Sequence, residues 1–155
     1  MITKLFTDII KGRFLGHPVH TMIIHFPVAL FFFSAIADAL TLFYEKNPFA
    51  FAAFVSGMTG TVLGWGAAIF GIIDLLSIDP ESKAFKVALT HGGLNLLWLS
   101  AFSVITGVQL KMYPDIANPP VMYIIIKLFI ILGMLVSNFL GGQLIYKYKV
   151  VDKET

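Results

Sequence analysis

The chain has 155 residues and a formal net charge of +2, and 57% of its residues are apolar while only 13% are charged. Ordinary soluble domains carry roughly 25% charged residues, so this composition excludes a soluble enzyme, a nucleic-acid-binding domain and a disordered chain. The sequence contains no cysteine. Disulfides, thiolate metal sites, iron–sulfur clusters and covalently attached c-type haem are therefore excluded as well. What remains is an integral membrane protein in contact with the lipid bilayer.

The first segment, Met1–Phe14, has the pattern of an amphipathic helix. Ile2, Leu5 and Ile9 fall near one helical face, whereas Lys4 and Asp8 fall on the other. A helix of this kind lies in the membrane interface rather than across it. We therefore predict an interfacial helix over residues 1–15, followed by a membrane domain over residues 16–150 and a polar tail over residues 151–155.

Four apolar stretches follow, and each reaches the ~20 residues that a helix needs to cross the hydrocarbon core. Polar breaks rich in proline and charge separate them. The predicted spans are roughly Ile23–Tyr44, Pro48–Ile78, Val87–Met112 and Val121–Tyr146. The fold class expected is all-α, a four-helix membrane bundle with short connections and antiparallel neighbours. No internal repeat is evident from the sequence.

The distribution of lysine and arginine predicts the orientation of this bundle. In a four-span protein the N-terminus, the second connection and the C-terminus share one side. Eight of the 11 basic residues lie on that side: Lys4, Lys11, Arg13, Lys83, Lys86, Lys147, Lys149 and Lys153. Basic residues are retained in the cytoplasm, so we expect a multi-pass membrane protein with both termini cytoplasmic.

Ionisable residues inside membrane helices usually mark a functional site, and several converge near the predicted cytoplasmic face. His25 of the first span and His91 of the third lie at similar depth, and Asp74 ends the second span at the same level. Asn95 follows His91 by one helical turn and shares its face. In the opposite half, Asp38 and Lys127 are expected to form an ion pair.

Two histidines that face each other from different helices can hold a b-type haem between them, because neutral imidazole is a common ligand of haem iron. We predict His25 and His91 as the axial ligands, with Asp74 and Asn95 orienting their rings. The function indicated by these residues is haem binding, by this chain alone or as a subunit of a larger complex.

Two alternatives remain open at this point. One is a divalent or transition metal ion without a porphyrin, bound by a wider set of residues, namely His17, His20, His25, His91 and Asp74. The other is a non-catalytic scaffold subunit, in which the polar layer only holds the helices together. No motif for a catalytic nucleophile or for a phosphate-binding loop is present, so no catalytic residues are predicted.

The histidine-rich segment is similar to a known signature. His17-Pro18-Val19-His20 followed by His25-Phe26-Pro27 resembles the first helix of the bacterial membrane family called domain of unknown function 2231. Gly71-Ile72-Ile73-Asp74, His91 with Asn95, and Gly141-Gly142-Gln143 resemble further parts of that family. The resemblance covers about residues 16–150 and implies four membrane helices. Relatives fused to Rieske-type iron–sulfur domains make electron transfer the function that it implies.

Overall fold

The computed structural model describes residues 8, 12–14, 17–44, 46–113 and 121–150. Two short strands, β1 (Arg13–Phe14) and β2 (His17–Pro18), precede five helices. The helices are α1 (Val19–Ile23), α2 (His25–Leu40), α3 (Lys46–Leu76), α4 (Lys83–Met112) and α5 (Val121–Tyr146). Four spans are long and apolar enough to cross a membrane: Val19–Leu40, Pro48–Leu76, Lys83–Met112 and Val121–Tyr146. The predicted all-α, four-span membrane bundle is confirmed.

The predicted interfacial helix lies mostly outside the described residues, but two residues near its end differ from the prediction. Arg13 and Phe14 form β1, which pairs antiparallel with β2. Gly12 makes this possible because its φ of +73° lies in the left-handed region that favours glycine. The Val19 amide closes the hairpin by donating to the Gly12 carbonyl at 2.8 Å.

Proline and a capping serine explain two helix boundaries. Pro18 stands immediately before α1, in the extended conformation. Pro27 lacks the amide hydrogen that would bond one turn back to Ile23, and the first span is divided between these two residues, at Ile24. The Ser82 hydroxyl accepts a hydrogen bond of 3.0 Å from the Phe85 amide and so starts α4 four residues before the predicted Val87.

The core lies in the middle of the bundle and joins the spans by apolar contacts. Phe31 of α2 and Phe102 of α4 pack ring against ring at its centre, with centroids 4.1 Å apart. Side chains from α4 and α5 complete the cluster: Leu99, Ile105, Ile130, Ile131 and Met134. The outward faces of the spans are also apolar, as expected for surfaces in contact with lipid, with exposed Val62, Val104, Leu132, Val136 and Phe139 among them.

Candidate functional site

His20 lies one residue into α1, and α3 holds its ring in place. Its Nδ1 lies 2.8 Å from the carbonyl oxygen of Ala67. A carbonyl oxygen only accepts hydrogen bonds, so Nδ1 donates, and the lone pair of the neutral ring is on Nε2. The ring also covers Gly71, where an added Cβ would lie 3.1 Å from it. The half-buried imidazole is therefore fixed in both tautomer and position.

His91, near the start of α4, is held by α5 in the same way. Its Nδ1 lies 2.8 Å from the carbonyl oxygen of Ser137, which leaves the lone pair on Nε2 by the same reasoning. The Ser137 hydroxyl donates back to the His91 carbonyl at 3.0 Å. The ring covers Gly141 so closely that an added Cβ would come within 2.7 Å of it.

These two histidines are equivalent positions of a repeat that the sequence analysis missed. His20 and its carbonyl partner are separated by 47 residues, and His91 and its partner by 46. In both cases a glycine one turn after the partner lies under the ring. Phe31 and Phe102, which stack at the bundle centre, lie equally far beyond the two histidines. The signal available in the sequence was this equal histidine-to-phenylalanine spacing in the first and third spans.

The matching contacts place His20 and His91 at the same end of the bundle. Each lies near the start of a span, and the two spans run in the same direction. The sequence predicted His25 and His91 as the pair at this end, whereas the histidine of the first span that a neighbouring helix holds is His20. The layer contains His20 rather than His25.

The expectation that His25 points into the bundle is wrong, because its side chain is exposed on the outer surface of α2. At about 3.6 residues per turn, the five residues from His20 to His25 rotate the helix by about 140° beyond one full turn. Since His20 faces α3, His25 faces away from it. His17 is also exposed, in β2.

The other predicted site residues divide between two places. Asn95 lies beside His91 as expected: its amide nitrogen is 3.1 Å from the His91 carbonyl oxygen and 3.4 Å from Nε2 of the ring. The Asp74 carboxylate lies next to the hairpin, where a Cβ added to Gly12 would be 3.4 Å from Oδ1. Among the described residues, no three His, Cys, Asp or Glu side chains converge as they would to hold a metal ion. The wider five-residue metal site is therefore not assembled.

The predicted ion pair in the opposite half of the bundle is present. Lys127 Nζ lies 2.6 Å from Asp38 Oδ2, and both side chains are completely buried. Lys127 also donates to the Ser34 hydroxyl at 2.9 Å and lies 5.6 Å from the centre of the Phe102 ring. Ser34 in turn donates to the Ala53 carbonyl at 2.7 Å, so the pair links three spans.

Comparisons with known proteins give a family but no characterised relative. No curated protein matches the chain, and no solved structure does. A family model described as "Predicted membrane protein (DUF2231)" matches residues 16–154. This match spans all four membrane helices and both histidines of the repeat, and the chain belongs to this family of membrane proteins.

Proposed function

We propose that this protein binds a b-type haem between His20 and His91 and transfers electrons within the membrane. The supporting observation is that the two imidazoles have the same tautomer. Each donates its Nδ1 hydrogen to a backbone carbonyl oxygen, and each keeps the Nε2 lone pair that binds iron. The proposal replaces His25 by His20 as the first ligand and retains His91 as the second.

The number of side chains available as metal ligands favours haem over a metal ion without a porphyrin. A porphyrin supplies four of the nitrogen ligands of its iron, so the protein needs to supply only two. Sites for other transition metals usually need three or four protein ligands. The described residues offer the two histidines without a third His, Cys, Asp or Glu side chain to join them.

The roles of the neighbouring residues follow from their contacts. The carbonyls of Ala67 and Ser137 hold the two rings in the tautomer that places the lone pair on Nε2. The Asn95 amide nitrogen lies 3.4 Å from this atom of His91. Gly71 and Gly141 let the rings pack directly against helix backbone, which limits their rotation. Haem, when bound, supplies a one-electron couple, and the apolar spans around it exclude water from the iron ligands.

The orientation of the protein and its partners belong to the same proposal. With both termini in the cytoplasm, the histidine layer lies near the cytoplasmic side of the bacterial inner membrane. A haem held by the two histidines at this depth would be positioned to exchange electrons with another membrane or redox subunit near that side. This follows from the charge asymmetry of the connections and termini.

The test is the visible spectrum of protein purified after expression with haem supplied. We expect a Soret band that shifts on reduction and disappears in both His20→Ala and His91→Ala. His25→Ala and His17→Ala are matched controls, because both side chains are exposed, and they should keep the full haem content. Loss of haem in His25→Ala with retention in His20→Ala would overturn the ligand assignment. A folded wild type without haem or metal would instead favour the scaffold function.

A further inference from the structure

The bundle contains a second polar layer, on the side opposite the histidines, in which two buried oxygens lack a hydrogen-bond donor. Among the described residues, the buried side-chain oxygens without a partner are Asp38 Oδ1 and Gln109 Oε1. Asp38 is completely buried and Gln109 is 4% exposed. A buried acceptor without a donor costs about 1–3 kcal/mol, so a group that donates hydrogen bonds to these oxygens would stabilise the layer.

The two oxygens belong to equivalent positions of the repeat. Asp38 lies as far beyond Phe31 in α2 as Gln109 lies beyond Phe102 in α4. The stacked rings of Phe31 and Phe102 bring these two helices together inside the bundle. Because α2 and α4 run in the same direction, both oxygens lie in the same layer, toward residues 41–44 and Tyr113.

The remaining contacts in this layer come from all four spans. Ser34 and Thr106 both lie against Gly57, where an added Cβ would be 3.2 Å from the first hydroxyl and 3.6 Å from the second. Lys127 is the charged group that forms an ion pair with Asp38. The other facing groups are the Ala53 carbonyl and Gly57 of α3 and the side chains of Phe102 and Thr106 of α4. None of these carries a titratable side chain. On α5, the half-buried Tyr123 precedes Lys127 by one turn.

We propose that Asp38 and Gln109 form a proton-binding site within the membrane. A proton from bulk water adds to Asp38 Oδ1, which then donates to Gln109 Oε1 directly or through a bound water. This one proton satisfies both unpartnered oxygens. No other bond in the protein breaks, and Lys127 keeps its charge.

Lys127 remains stabilised when Asp38 is neutral. Its ammonium group donates to Ser34 and lies over the face of Phe102, which attracts a cation. It also lies near the C-terminal end of α2, where the helix dipole is negative. The site therefore alternates between an ion pair and a protonated carboxyl group beside a bound ammonium group. It is independent of the haem proposed above.

Infrared difference spectroscopy between acid and alkaline pH tests this site in the purified full-length protein. We expect a carbonyl stretch of a protonated carboxyl group that shifts in D2O and is absent from Asp38→Asn. Asp79→Asn is the control, because Asp79 is an exposed residue of the connection between α3 and α4. Persistence of the band in folded Asp38→Asn would overturn the proposal, and so would its absence from wild type.

A second variant tests the partner oxygen without removing a charge. Gln109→Leu should lower the proton affinity of the site by about tenfold, since the protonated carboxyl group loses its acceptor. An unchanged midpoint would overturn the role of Gln109. If Asp38→Asn does not fold, aspartate labelled with ¹³C at the carboxyl group assigns the band in wild type and in Gln109→Leu. A band that lacks the isotope shift would overturn the proposal.

Discussion

At the scale of single residues, the chemistry of this protein depends on which side chains the glycines allow to approach helix backbone. The ring of His91 lies on Gly141, and the ring of His20 lies on Gly71. A Cβ at Gly141 would lie 2.7 Å from the His91 ring, too close to fit without a shift, and one at Gly71 would require the His20 ring to move slightly. The histidine layer is therefore determined as much by the absence of two Cβ atoms as by the imidazoles themselves.

Adjacent glycines at the end of α5 allow a controlled test of this point. Gly141→Ala should destabilise the protein by about 1–3 kcal/mol, the usual cost of overpacking, because the new Cβ would lie 2.7 Å from the His91 ring. Gly142→Ala has nothing within 4 Å of the new atom and should be neutral or slightly stabilising. Thermal unfolding in detergent measures both. Equal effects of the two substitutions would contradict the packing described here.

The buried ion pair gives a second prediction at this scale. Lys127→Met should destabilise the protein by about 3–5 kcal/mol, because it leaves the Asp38 carboxylate buried without its cation. The double variant Lys127→Met with Asp38→Asn should be more stable than Lys127→Met alone, since the uncompensated charge is removed. A double-mutant cycle of unfolding free energies measures this coupling. Additive effects would show that the two side chains act independently.

At the scale of helices, the boundaries follow from local chemistry that the sequence makes visible. Pro18 precedes the first helix, Pro27 coincides with the division of the first span, and Ser82 starts α4. These features need few tertiary contacts. The sequence therefore predicted the position of every span to within a few residues.

The Ser82 cap can be removed on its own. Ser82→Ala should lower the free energy of unfolding by about 1 kcal/mol, whereas Ser82→Gly should lower it by only a few tenths. Both variants lose stability because the Phe85 amide no longer has the Ser82 hydroxyl as its acceptor, and the loss is smaller for glycine because glycine is itself a favourable residue at this position. Ser100→Ala, on the exposed face of the same helix, is the control and should be close to neutral. A loss of similar size for Ser100→Ala would remove the cap as the explanation.

At the scale of the whole molecule, the first two spans and the last two spans form matching pairs. The first and third spans run in one direction through the membrane, and the second and fourth run in the other. Repeats of this kind are related by an axis along the membrane normal, and binding sites of membrane proteins often lie where repeats meet. Here the histidine layer and the layer of Asp38 and Gln109 lie at opposite ends of the same interface. The apolar core around Phe31 and Phe102 separates them.

The orientation of the molecule can be measured directly, because the chain contains no native cysteine. Asp79→Cys and Lys153→Cys should be inaccessible to a membrane-impermeant thiol reagent in intact cells, or in spheroplasts if an outer membrane is present. Asp115→Cys should be labelled. This pattern follows from the excess of basic residues on the side of the termini. Labelling of Asp79→Cys together with protection of Asp115→Cys would reverse the orientation and place the histidine layer on the opposite side.

The sequence by itself determined the membrane class, the four spans, the family resemblance and the pairing of Asp38 with Lys127. Each of these depends on composition, on local helix signals, or on the fact that a lone charge in hydrocarbon needs a partner. It also predicted that a histidine of the first span would face His91.

Only the tertiary structure decided which histidine of the first span a neighbouring helix holds. His17, His20 and His25 lie close together in the sequence, and the rotation of the first span about its axis selects one of them. That rotation is set by contacts with α3, which is distant in the sequence. The hydrogen bond between His20 and Ala67, for example, joins residues 47 positions apart. The repeat became visible for the same reason, because its evidence is a pair of long-range hydrogen bonds rather than a similarity between adjacent residues.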